Sequence, residues 1–148
     1  MGDQQMRSSL EDLEGFSFDE APWTAPKPLA DSRVAIVTTA GLRPAGGDGA
    51  DWNPGDQAMQ ILPASAEGLV LAHFSPNFDR TGFQQDLNVC FPIERLHDLA
   101  KDGVIGSVAN FHFTVSGAAH PSDLEDSARA MARTMKADGV DTVLLVPI

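Results

Sequence analysis

Three side chains in this sequence have the chemistry to move a proton at a strand end: His73, Asp86 and His112. Imidazole titrates near neutral pH, so either histidine can pass a proton to a leaving amine, with Asp86 as the carboxylate beside it. Each also has an ordinary structural reading, as a satisfied core or rim histidine and as a turn-ordering aspartate. Asn88 and Arg95 follow in the same stretch, and the planar fork of Arg95 suits a substrate carboxylate. On a helix the same arginine commonly pairs with a neighbour such as Asp98. Two histidines and an aspartate also suit iron or zinc, but no H-x-H or H-x-x-x-H spacing occurs, and no metal is expected. Cys90, the only thiol, sits between Val89 and Phe91 and is expected to be a small buried hydrophobe. His97 and His120 are expected on the surface.

One pattern is rejected. Gly47-Asp48-Gly49 begins like a dinucleotide-binding loop, but Trp52 stands where the third glycine belongs, and Asp48 and Asp51 would repel a pyrophosphate. No nicotinamide or flavin site is expected.

The scaffold that must position these groups is one domain. The chain has 148 residues, 43% hydrophobic and 21% charged, enough for a real core. Its net charge of −11 disfavours phosphate backbones and anionic lipid surfaces, so neither nucleic acid nor membrane is an expected partner. A lone cysteine excludes an internal disulfide, no apolar run approaches the ~18 residues of a membrane span, and the start Met-Gly-Asp-Gln-Gln lacks the basic and apolar regions of a signal peptide. A cytoplasmic location is expected.

Residues 1–30 read as an arm with Phe16, Phe18 and Trp23 as isolated apolar anchors, and residues 31–148 as the domain. Val34 to Thr39 is a β-branched run typical of a buried strand, and Leu69 to Phe74 a second strand. Gly41 to Pro54 reads as a loop. Pro92 opens a short helix to Ala100, with Gly103 as its stop. In Ile105–Ser116, Phe111, Phe113 and Val115 alternate with His112, Thr114 and Ser116, which predicts an available polar face. Ser122-Asp123-Leu124-Glu125 reads as a capping box before a helix striped with Leu124, Ala128, Met131, Ala132 and Met135, stopped at Gly139. Asp141 to Ile148 closes the chain with an apolar strand of the kind buried on both faces of a parallel sheet.

Strand and helix in alternation predict an α/β fold: a three-layer, doubly wound, mainly parallel sheet, Rossmann-like or flavodoxin-like. In such sheets ligands sit beyond the carboxyl ends of the strands. The last strand ends there with no helix after it, so part of one sheet face is expected to be uncovered, awaiting a protein partner, a second copy or more chain.

Several segments together resemble a known family. Val34 to Gly41, Gly55-Asp56 with Ile61-Leu62-Pro63, Asp86 to Leu96, Gly103-Val104-Ile105-Gly106 with His112 and Gly117, and Asp138 to Pro147 are similar to successive blocks of the selenoprotein B family. These are the substrate-cleaving components of glycine, sarcosine, betaine and D-proline reductases. The resemblance runs from about residue 30 to the C-terminus and covers the amino-terminal part of the family pattern, Asp86 to Leu96 being its most specific block. Gln60 stands where the pattern often has Arg, which sets aside an anion-binding role for that loop.

The resemblance implies reductive cleavage of a carbon–nitrogen bond in a small amino-acid-like substrate. A selenolate or low-pKa thiolate attacks the carbon bearing the amine, a pyruvoyl group on a partner chain holds that amine, and dithiols supply electrons. The family carries its selenocysteine or cysteine just after the last block, and this sequence has neither. A reading frame cut at a UGA selenocysteine codon is one expectation, with the isolated chain inactive. A non-catalytic binding or assembly subunit is the alternative, and a small metal-dependent hydrolase a third.

Overall fold

The computed structural model describes residues 23–46, 52–53, 55–73, 79–116 and 119–148. Phe16, Phe18, the rejected glycine-rich loop, Phe74 and Gly117 lie outside these residues.

β1 (Arg33–Thr38) is the centre of a five-stranded mixed sheet, as its β-branched run demands, with Val34, Ala35, Ile36 and Thr38 buried. β7 (Thr142–Val146) pairs parallel along one side of it, Val34 opposite Thr142 through Thr38 opposite Val146. On the other side two short strands, β5 (Ser107–Val108) and β6 (Phe111–Thr114), pair parallel with its two ends. β3 (Gln60–Pro63) lies antiparallel to β6, so the sheet is mixed. A separate two-stranded sheet joins β2 (Leu42–Pro44) to β4 (Leu69–Leu71). The helices are α1 (Thr81–Gln85), α2 (Ile93–Lys101) and α3 (Glu125–Ala137).

The core fills the face of β1 that carries Val34 and Ile36, where Leu62, Phe91, Leu96 and Ile105 join them. Leu96 is the residue that α2 buries, and Gly103, at φ 71°, turns the chain after the helix as expected. The opposite face holds Arg33, whose Nε donates to the Asp138 carbonyl at 2.7 Å just past α3. α3 itself buries no residue completely.

The strand opposite β1 is interrupted. Between Val34 and Val37 β1 advances three residues, whereas its partner advances five, from Val108 to Phe113, so two extra residues bulge out around Asn110. Asp138 clamps this bulge. Its Oδ2 accepts the Asn110 N–H at 2.6 Å, and its Oδ1 accepts from Asn110 Nδ2 at 2.7 Å and Arg33 Nη2 at 2.8 Å. Burial works against the charge, yet the Arg33 and Asn110 hydrogen bonds hold the Asp138 carboxyl below the usual carboxylate range.

Four expectations change. The alternating polar face of β6 is not available, because His112, Thr114 and Ser116 are all fully buried and bonded to main chain. β7 is not buried on both faces: Leu145 is 69% exposed and Val143 and Leu144 about 40%. Among the described residues the strand pairs with β1 and with no other strand, and the uncovered sheet face expected from sequence is found here. Glu125 begins α3 without a side-chain cap, because Pro121–Leu124 first forms a 3₁₀ turn whose amide is received by His120, not by Ser122. Finally, β2 interrupts the Gly41–Pro54 loop, and β3 and α1 are elements that no periodicity marked, being only three to five residues long.

Candidate functional site

At the carboxyl end of β1 the chain folds over itself. Thr38 is buried and its hydroxyl accepts the Ala40 N–H at 3.2 Å, which bends the backbone out of the strand. Thr39 faces the end of β7: its Oγ1 accepts the Ile148 N–H at 2.8 Å and lies 3.4 Å from the Ile148 carbonyl. Gly41 follows at φ 58°, a left-handed backbone that favours glycine. Its N–H donates to the Val115 carbonyl and its own carbonyl accepts from Ala72, so it joins β1, β6 and the end of β4. A methyl on Gly41 would stand 3.1 Å from Trp52 Cδ1 and 3.4 Å from His73 Cα.

The residues gathered there are therefore Gly41, Trp52 and His73, with Ser116 beside them. Ser116 is fully buried, and its hydroxyl donates to the Asp56 carbonyl at 3.3 Å. His73 is 7% exposed and hydrogen-bonded to the Ser116 main chain. Burial, reinforced by the nearby Arg80 charge, pushes its pKa below the ordinary value, so the ring is neutral at neutral pH. A neutral imidazole with a guanidinium charge nearby can accept a proton, and the guanidinium can orient an anionic group. Trp52 and Arg80 were missed from the sequence. Each comes from an irregular segment, and nothing in spacing links them to His73.

His112 lies on β6 and faces the core. Its Nδ1 accepts the Ile36 N–H at 3.0 Å, inside the gap left by the bulge. The ring is fully buried, stands edge-on to Phe91 at 5.6 Å, and is pushed down to about 4 by that burial. With Nδ1 accepting, the proton is on Nε2, which is buried and unpartnered among the described residues.

Asp86, Asn88 and Arg95 gather at the start of α2. The Asp86 carboxylate accepts the Asn88 N–H at 2.9 Å and Nδ2 at 3.0 Å, and these bonds hold it below the usual carboxylate range. Asn88 then reaches Glu94, donating Nδ2 to Oε2 at 2.8 Å and accepting the Glu94 N–H at 3.2 Å. The pair orders the turn into α2, the structural alternative given by the sequence. Arg95 is exposed and bonds Asp98 at 3.1 Å, as its helix position predicts.

Cys90 is placed as the small buried hydrophobe expected from its sequence setting. It is fully buried, its Sγ lies 3.5 Å from the Leu87 carbonyl, and burial pushes the thiol up to about 11. Among the described residues no group of three or more His, Cys, Asp or Glu side chains could hold a metal ion. No helix among them is long and apolar enough to cross a membrane.

These features define an α/β domain with polar groups and a neutral histidine at the carboxyl ends of its strands. Comparison with known sequences gives it a family. Residues 12–147 match glycine/sarcosine/betaine reductase selenoprotein B (GRDB), and the chain belongs to that family. It is 34% identical over 128 residues to the D-proline reductase subunit gamma of Acetoanaerobium sticklandii, covering 83% of this chain and 52% of that one. It is 28% identical over 137 residues to the glycine reductase complex component B subunit gamma of Peptoclostridium acidaminophilum, covering 87% and 31%. The sarcosine reductase complex component B subunit beta of the same organism is 27% identical over 138 residues, covering 86% and 31%. The chain thus spans about half the length of the first relative and about a third of the other two. No solved structure matches it.

Proposed function

We propose that this chain is the substrate-positioning α/β part of a reductase component that cleaves the carbon–nitrogen bond of a small amino-acid-like substrate, within a multi-subunit complex. The observation that carries the reading is a pairing: the family match runs over residues 12–147, while the only thiol in the sequence is sealed in the core. The family's chemistry needs a selenol or thiol nucleophile with an amine-holding pyruvoyl group on a partner. Cys90 does not fit that nucleophile, because its thiol is buried and ionises only near pH 11.

What this chain's own residues contribute is placement and proton handling. Residues 31–148 are the working domain in this reading. His73 takes or returns the proton of the departing amine, Arg80 and Trp52 fix its surroundings, and His112 orders the strand behind it. Asp86 and Asn88 shape the turn into α2, and the guanidinium of Arg95 stands exposed for a substrate carboxylate.

The test is ammonia release from glycine, betaine and D-proline with dithiothreitol. The purified chain alone is expected to release none; turnover by it overturns the reading. Mixed with the partner components of a D-proline or glycine reductase, a chain extended to carry the family's selenol or thiol is expected to support turnover and its His73→Ala variant to lose it.

A second reading, a non-catalytic assembly subunit, is favoured by the exposed Val143, Leu144 and Leu145 of β7. Reading the native gene beyond the Ile148 codon and weighing the product made in its own host separates the two. A UGA followed by coding sequence, with selenium in the product, supports the reductase reading; an ordinary stop supports the assembly subunit.

A further inference from the structure

β6 runs on past Thr114 into Val115 and Ser116, which tie the strand to the segments around His73. Val115 is bonded at both main-chain groups, its N–H to the Thr38 carbonyl and its carbonyl to the Gly41 N–H, each at 3.0 Å. Ser116 is fully buried and works through two different atoms. Its carbonyl accepts the ring N–H of His73, and its hydroxyl donates to the Asp56 carbonyl at 3.3 Å. Asp56 closes a turn with Asn53, its carboxylate accepting the Asn53 N–H at 2.6 Å and its own N–H donating to the Asn53 carbonyl at 3.1 Å. Trp52, just before that turn, is the residue that meets Gly41.

We propose that Ser116 is the positioning residue of the His73 site: its carbonyl selects the ring nitrogen that carries the proton, and its hydroxyl, bonded to Asp56, keeps that carbonyl aimed at the ring. A neutral imidazole has one donor nitrogen and one acceptor nitrogen. With the donor directed at Ser116, the opposite nitrogen is the one that receives a proton in the chemistry assigned to His73. Val115 fixes the chain leading into Ser116, and the hydroxyl bond fixes Ser116 itself. A buried hydroxyl that loses its acceptor is costly, so this bond resists opening. Through the Asn53–Asp56 turn the same bond secures the segment that brings Trp52 against Gly41. One side chain thereby couples the orientation of the base to the placement of the indole.

The value of this residue to turnover rests on the proton handling proposed for His73, whereas its test reads geometry without turnover. Histidine side-chain NMR on the full chain gives, for each ring, the tautomer and the rate at which its N–H exchanges with water. Wild-type His73 is expected as a single tautomer with a protected ring N–H. In Ser116→Ala that N–H should exchange about 5-fold faster or more, the equilibrium factor of one neutral hydrogen bond. The buried Nε2–H of His112 is the internal reference and should keep its rate. Ser127→Ala removes a second hydroxyl bonded to this segment, from Ser127 Oγ to the Gln57 carbonyl, and should leave His73 as in wild type. Averaged tautomers for wild-type His73, an unchanged rate in Ser116→Ala, or an equal change in Ser127→Ala would each overturn the assignment. Should Ser116→Ala fail to fold, Ser116→Cys keeps the shape with a far weaker donor and carries the same expectation. If this geometry is found while His73→Ala leaves turnover unchanged, the proton-handling reading alone falls.

Discussion

The imidazole of His112 stands in for a main-chain carbonyl: its Nδ1 receives the Ile36 N–H at 3.0 Å at the point where the bulge leaves the β1 ladder without a partner. A buried amide without an acceptor is costly, so a side chain of the right reach completes the sheet.

Acid should therefore loosen this protein over a defined range. His112 is held at about 4 in the fold by burial, against an ordinary value of 6.5. Between those values the unfolded chain binds more protons than the folded one. The contribution is complete above about pH 6.5, is lost as pH falls toward 4, and is level below, with a total of roughly 3 kcal/mol as an upper figure. Urea titrations at pH 7, 5.5 and 4 should show this slope in wild type and a shallower one in His112→Gln.

The clamp on the bulge gives a second expectation. Asp138→Ala removes the acceptor of the Asn110 N–H and of Arg33 together, and should cost roughly 1–3 kcal/mol. Asp138→Asn keeps one acceptor oxygen and should cost less. Denaturant midpoints for the two variants give the comparison directly.

How much of this was legible in the sequence depends on the range of the cause. β1 and α2 were read well, because a β-branched run, Pro92 and Gly103 act locally. The turn that Asp86 and Asn88 order was legible as the structural alternative to their site roles, since their partners lie within six residues. The polar alternation of His112, Thr114 and Ser116 was misread as a solvent face, because polar side chains that mend main-chain gaps have the same spacing as wetted ones. β7 was misjudged for a related reason: an apolar strand reports what it can bury, while its neighbours decide what it does bury. The meeting of Gly41, Trp52 and His73 joins three separate segments and leaves no periodic mark.

Gly41→Ala tests that meeting. The new methyl is strained by φ 58° and crowds Trp52, so a loss of roughly 1–2 kcal/mol is expected. Trp52 is 8% exposed and Trp23 85%. Iodide should quench about half of the wild-type tryptophan pool readily, and a larger share in the variant, where the second indole is displaced. Unchanged quenching and an unchanged melting temperature would show that the loop absorbs the methyl.

Cys90 gives a clean chemical readout. With its thiol buried and ionising near pH 11, iodoacetamide at pH 7.5 should label the folded chain very slowly and the urea-unfolded chain quickly. Rapid labelling of native protein would return Cys90 to the list of nucleophiles.

The exposed side of β7 also bears on how concentrated solutions of this chain behave. A strand with Val143, Leu144 and Leu145 in contact with water, paired among the described residues with β1 and no other strand, offers each copy a template for sheet growth. A net charge of −11 opposes that contact by repulsion between copies. That repulsion reaches only about 8 Å at physiological ionic strength and about 3 Å in 1 M salt. Raising the salt should therefore bring the strands of neighbouring copies together before it unfolds anything.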